Sequence, residues 1–146
     1  MSRKRENVRQ CKVIRQLIDD NKYTKALELI DAIPLEEVGS LDDLYRYAEL
    51  YEKAERMDKK KEIFYHIYHR THSRYMLNRL LRLTIRMGDM EEARELYFAY
   101  EVAGPITLDT FELRYLLAKA EGEPPERLIQ ILEELKKEEY TEEWGF

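Results

Sequence analysis

Apolar residues return along this chain every three or four positions, and the runs they form break at regular places. Val8, Cys11, Ile14, Leu17 and Ile18 share one face of a helix predicted over about Arg5 to Asp19. The pattern pauses at Asp20–Asn21, resumes from about Tyr23 to Ile33, and is halted by Pro34, which has no backbone N–H to continue a helix. Ser40 is placed to cap a third helix carrying Leu41, Leu44, Ala48 and Tyr51 on one side. A fourth, from about Asp58 to Thr71, carries Ile63, Phe64, Ile67 and Tyr68. Ser73 is the expected cap of a fifth helix with Leu77, Leu80, Leu81 and Ile85, which Gly88–Asp89 breaks. The sixth, Glu91 to Ala103, ends at Gly104–Pro105. Asp109 is the expected cap of a seventh containing Phe111, Tyr115, Leu116 and Ala118. Gly122–Glu123–Pro124–Pro125 then turns the chain, with Pro125 in the first turn of an eighth helix ending near Lys137.

The pattern therefore predicts an all-α protein of eight helices in four hairpins, joined by short loops with no linker between domains. Its internal turn points, Asn21, Glu55, Gly88 and Gly122, recur at intervals of 34, 33 and 34 residues. A period of this length marks a helical solenoid, in which each hairpin buries its apolar face by stacking on its neighbours.

The residues around the turns resemble the tetratricopeptide repeat family. Leu77, Leu81, Gly88, Asp89, Ala93, Tyr97, Tyr100 and Pro105 follow that family's order and spacing. Leu44, Ala48, Tyr51, Phe64 and Ile67 form a second copy, and Leu17, Asn21, Tyr23, Ala26, Ile30 and Ile33 an earlier one. Phe111, Tyr115, Ala118 and Gly122 begin a fourth copy, with one extra residue before Leu128, Leu132 and Leu135. The resemblance implies a single domain over 1–146, a right-handed superhelix with repeats at about 7–40, 41–73, 74–107 and 108–141. Thr141–Glu142–Glu143–Trp144 reads as a cap and a new first turn, so 142–146 is either a fold-back cap or a short helical start of a fifth unit. The second reading makes the chain the N-terminal part of a longer, bacterial-type protein of this family.

Small residues at Ala26 and Ala93 allow close approach of the helices in a hairpin, but Lys60 occupies the equivalent place in the second unit. A buried, unpaired ammonium is costly, so its stem is expected to pack while its charge reaches water or a carboxylate. Looser packing is expected there.

Composition narrows the class. The 146 residues are 44% hydrophobic and 38% charged, with five glycines and four prolines, which suits a helix-rich chain and not a sheet, collagen-like or disordered one. A net charge of −5 gives nucleic acid no overall attraction. The charge is uneven, however. Arg3, Lys4, Arg5, Arg9, Lys12 and Arg15 crowd the start, ten cations between Lys53 and Arg86 face three acids, and Glu133, Glu134, Glu138, Glu139, Glu142 and Glu143 dominate the end. Such runs are ordinarily solvated helix faces; the sharper reading is a basic central surface for an acidic partner.

Cys11 is the only cysteine, which excludes an internal disulfide and fits a buried thiol in a reducing compartment. The basic start leads into no apolar signal region, and no stretch approaches the roughly 20 apolar residues of a membrane span. The expected location is cytoplasmic, with no membrane contact.

His66, His69 and His72 follow at three-residue intervals, but no cysteine or carboxylate completes a usual ligand set, and no metal is expected. No phosphate loop, H-E-x-x-H, G-x-S-x-G or paired-cysteine motif is present, so neither a cofactor nor enzymatic activity is expected. What remains is binding. The resemblance implies a concave groove lined by the first helix of each hairpin, which places Val8, Cys11 and Arg15, then Asp42, Tyr45, Arg46, Glu49 and Lys53, along it. Tyr75, Asn78, Arg79, Arg82 and Arg86 follow, then Asp109, Glu112, Leu116 and Lys119. The lysine and asparagine pattern with which that family clamps chaperone tails is missing. Arg46, Arg79, Arg82 and Arg86 beside Tyr45 and Tyr75 instead suit an acidic peptide or protein C-terminus, unless Glu49, Asp109 and Glu112 occupy them. The expected function is a protein–protein interaction scaffold of unknown partner and oligomeric state; the alternative is RNA or other nucleic-acid binding through the basic central surface.

Overall fold

The computed structural model describes the backbone of residues 3–143 and the side chains of residues 5–137. Among the described residues the chain is entirely helical, with no strand: α1 (Arg3–Asp19), α2 (Tyr23–Ala32), α3 (Leu41–Lys53), α4 (Met57–Thr71), α5 (Arg74–Met87), α6 (Met90–Val102), α7 (Leu108–Ala120) and α8 (Pro125–Glu143). A single 3-10 turn, Leu35–Glu37, lies between α2 and α3. The chain divides into two compact units, Met1–His72 and Ser73–Phe146.

The four internal turns are the same structure made four times. Asn21, Glu55, Gly88 and Gly122 are all left-handed, with φ of 59°, 59°, 84° and 77°. At each, the next residue's N–H reaches five residues back: Lys22 to Leu17 O, Arg56 to Tyr51 O, Asp89 to Thr84 O and Glu123 to Ala118 O. The left-handed residue itself donates three residues back, to Ile18, Glu52, Ile85 and Lys119. This is the Schellman arrangement, which satisfies the last carbonyls of a helix and reverses the chain for the next one.

In the first unit, α1 packs with α2 and α3 with α4, and α2 joins the two hairpins by packing on α3. The core is built from Cys11, Ile14, Ile30, Leu44, Tyr47, Ile63, Phe64 and Ile67, with Ala26 fully enclosed where the helices meet. In the second, α5 pairs with α6 and α7 with α8, and α7 lies against both α5 and α6. Met76, Leu80, Leu81, Ala93, Phe111, Leu113 and Ile131 fill that core. Hairpin stacked on hairpin is the packing of an α-solenoid, and each unit contains one such step.

The caps explain where the helices begin. The Asp43 N–H donates to Ser40 Oγ at 3.3 Å, the Met76 N–H to Ser73 Oγ at 3.4 Å and the Glu92 N–H to Asp89 Oδ1 at 3.2 Å. Asp109, expected as the cap of α7, instead lies in its first turn. Thr107 takes the cap position because its extended backbone leaves its N–H free to donate to Thr110 Oγ1 at 3.0 Å. At the other end, α8 continues through Thr141–Glu143, where a cap and a new start were expected; Trp144 and Phe146 lie outside the described residues.

Lys60 is buried, and its Nζ lies 3.0 Å from Glu52 Oε1 and 5.3 Å from the centre of the Phe64 ring. The stem packs and the ammonium finds a carboxylate, as its place between α3 and α4 requires.

Candidate functional site

Charged side chains on the first helices of the hairpins divide into those held by the fold and those presented by it. Arg15 is held. Its Nε and Nη2 donate to Asp43 Oδ1 and Oδ2 at 2.8 and 2.9 Å, a two-pronged pairing that joins α1 to α3. These bonds raise the Arg15 guanidinium above its ordinary value. Asp43 is buried, so this pair locks a hairpin interface. Cys11, another expected lining residue, is buried in the core.

On α3, Arg46, Glu49 and Lys53 are exposed and Tyr45 is half-buried. Lys53 Nζ lies 5.3 Å from the centre of the Tyr23 ring.

The α5 face of the second unit carries a row of charged side chains flanked by Tyr75. Tyr75 is 65% exposed, and the Arg79 guanidinium sits 5.8 Å from its ring centre. One turn on, Arg82 Nε donates to the buried Asn78 Oδ1 at 2.6 Å, and its Nη1 reaches Glu112 Oε1 on α7 at 3.0 Å. Arg86 is exposed at the end of the row and Leu116 is half-buried on α7. Asn78 thus orients Arg82 from beneath, and the row Tyr75, Arg79, Arg82, Arg86 follows one helix face at i, i+4, i+7 and i+11. An arginine of this row already holds a carboxylate.

Two of the three histidines, His69 and His72, meet aromatic rings. His69 stacks on Tyr65 at 6.3 Å, and His72, the left-handed residue ending α4, meets the edge of Tyr68 at 6.1 Å. Burial, and then the charge of Arg70, hold the His66 imidazole below its ordinary value. Among the described residues, no group of three or more His, Cys, Asp or Glu side chains is arranged to hold a metal ion. No described helix is long and apolar enough to cross a membrane.

A cleft of about 330 Å³ in the first unit was not foreseen from the sequence. It opens where α2 ends, between the 3-10 turn and α3–α4, and Ile33, Leu35, Ile63, Asp31, Glu36 and Glu62 are among its walls. Asp31 accepts from the Tyr51 hydroxyl, and from Arg56 Nη1 at 2.9 Å. Desolvation pushes the Asp31 carboxyl upward, but the bonds from Tyr51 and Arg56 outweigh it and hold the group below its ordinary value. A helix-period reading had no means of finding this cleft, because three residues of 3-10 turn show no period.

Comparison with protein-family models, with curated proteins and with solved structures gave no match to this chain.

Proposed function

We propose that this chain is a protein-interaction scaffold built from hairpin repeats of tetratricopeptide type, and that its α5 face holds an acidic segment of a partner protein. The observation that carries this reading is the Arg82–Glu112 pair at 3.0 Å within a row of arginines headed by an exposed tyrosine. Glu112, an internal carboxylate paired with Arg82, supports this reading, and its side chain is more than half exposed, so an incoming carboxylate can replace it. Tyr75 adds a flat, rigid contact beside the charges, the combination found at binding hot spots. Exposed ion pairs contribute at most about 1 kcal/mol, so exchanging Glu112 for a partner's acid costs little.

Fluorescence anisotropy with a labelled octaglutamate peptide tests the reading. The parent chain should bind it in a salt-dependent way, Arg79→Glu/Arg82→Glu should lose binding at least tenfold, and Glu112→Gln should bind more tightly. Unchanged affinity in the charge-reversed variant overturns the proposal. A homopolymeric RNA of equal charge, bound more tightly than the peptide at low salt, would move the reading to nucleic acid.

A further inference from the structure

We propose that the cleft at the end of α2 is a second binding site, which takes a lysine or arginine side chain of a partner protein. The cleft, at about 330 Å³, is at the lower limit of the roughly 300–1,000 Å³ that ligand sites occupy. Its lining is mixed: Ile30, Ile33 and Ile63, all buried, and Leu35 supply aliphatic surface, and polar atoms supply the larger share. Its charged lining is three carboxylates, Asp31, Glu36 and Glu62, against one ammonium, Lys59, with Arg56 paired to Asp31 from outside the lining, so that Glu36 and Glu62 carry the acidic character. A cleft that sets carboxylates beside aliphatic side chains matches a ligand with an aliphatic stem and a cationic tip. The negative end of the α2 dipole points the same way, because α2 ends at Ala32 inside the lining.

The walls are fixed before anything binds. Arg70 Nη2 donates to the Leu35 carbonyl at 3.0 Å and to the Glu36 carbonyl at 3.4 Å, which pins the 3-10 turn to α4. Asn7 Nδ2 donates to Glu37 Oε2 at 2.5 Å, which pins the same turn to α1. Tyr51 and Arg56 hold Asp31 in place from α3 and from the start of α4. A site whose walls are already ordered spends little binding energy on arranging itself. Lys59 is the internal competitor. Its Nζ is 3.5 Å from Glu62 Oε2, a long contact between two exposed side chains, so a partner's cation can take its place.

The test uses the full chain and three small probes: N-acetyl-lysine methylamide, the norleucine analogue that keeps the stem and lacks the charge, and the glutamate analogue. Titration followed by ¹H–¹⁵N spectra should show the lysine probe shifting the amides of Ala32, Leu35 and Ile63, with affinity at least fivefold above norleucine. Glu36→Gln/Glu62→Gln, at two exposed positions, should weaken the lysine probe at least fivefold, and Lys59→Ala should strengthen it at least twofold. Arg79→Glu/Arg82→Glu should leave it unchanged, which separates this site from the α5 row. Equal binding of lysine and norleucine, preference for glutamate, or no shift at the cleft amides overturns the proposal.

Discussion

The two units make the same turn from different residues, and the same stacked hairpins around different interiors. In the first unit the left-handed turn positions are Asn21 and Glu55; in the second they are Gly88 and Gly122. The buried charged side chains among the described residues, Asp43 and Lys60, both belong to the first unit, whereas the buried polar groups of the second are Asn78, Thr84 and Thr110. A solenoid step therefore needs a backbone shape and a filled contact, and it tolerates wide variation in how each is supplied. The tolerance has a thermodynamic cost. An L-residue with a side chain in the left-handed region loses roughly 1–2 kcal/mol that glycine does not. A buried ion pair returns little net stability for the desolvation it requires. The first unit carries both burdens, so its amides should exchange with solvent faster than those of the second.

The sharpest way to break this comparison is to remove one half of the Arg15–Asp43 pair. Arg15→Met keeps the stem and leaves the buried Asp43 carboxylate without its two donors. A fully enclosed charge left in this way costs about 3–5 kcal/mol, and partial exposure of Arg15 reduces the expected loss to about 2 kcal/mol. Urea unfolding of Arg15→Met, and of Arg15→Met/Asp43→Asn, reads this out. The double variant should recover most of the loss, since it removes the stranded charge as well. If Arg15→Met alone is as stable as the parent, the pair is an ornament of the surface and the contrast between the units disappears.

The turns give the second test, and here the two units should respond with opposite signs. Glu55→Gly relieves a left-handed glutamate and should stabilise the first unit by about 1 kcal/mol. Gly88→Ala imposes the same strain on the second and should destabilise it by about 1 kcal/mol. A Cβ at Gly88 would meet no atom within 4 Å, so the cost is purely conformational and no clash confuses it. Asn21→Gly should gain less than Glu55→Gly, because asparagine tolerates this region better than glutamate does. Denaturation midpoints of the three variants decide the matter; equal and same-signed changes would show that the turns are not the source of the difference.

These turns also mark how far the sequence could be read. Asn21, Glu55, Gly88 and Gly122 stand out by their spacing, because a left-handed residue must recur wherever a hairpin recurs. Lys60 is legible for a similar reason: a fixed place in the period demands a small residue, and a lysine there announces that it needs a carboxylate. What periodicity does not carry is pairing between helices. Arg15 and Asn78 fall on the expected lining faces, yet Asp43, 28 positions on, claims the first, and burial beneath Arg82 the second. The 3-10 turn at Leu35–Glu37 and the cleft beside it were hidden behind Pro34, which signals only that a helix stops. The Thr107 cap was missed because an aspartate two residues later offered the more familiar cap chemistry.

The smallest expected effect concerns the tyrosines of the first unit. Tyr47 is fully enclosed, and its hydroxyl faces the Cys11 thiol, a weak hydrogen-bonding group, and makes no bond of normal geometry to any described residue. Burial raises the phenols of both Tyr47 and Tyr51, helped by Cys11 in the first case and by Asp31 in the second. A phenol raised in the folded state contributes stability that is intact below its unfolded value of about 10 and is lost as the pH climbs above it. The second unit also has a raised phenol, Tyr97, but it is only half-buried and donates to Glu101. Alkaline unfolding should therefore begin in the first unit, seen as loss of the Ile14, Ile30 and Ile67 methyl resonances before that of Ile131. Tyr47→Phe should change stability by less than about 1 kcal/mol at pH 7, since the hydroxyl it deletes has no strong partner to strand. At pH 11 the same variant should hold the first unit folded where the parent begins to lose it. If Ile131 fades first in the parent, the buried phenols are not what separates the two units in alkali.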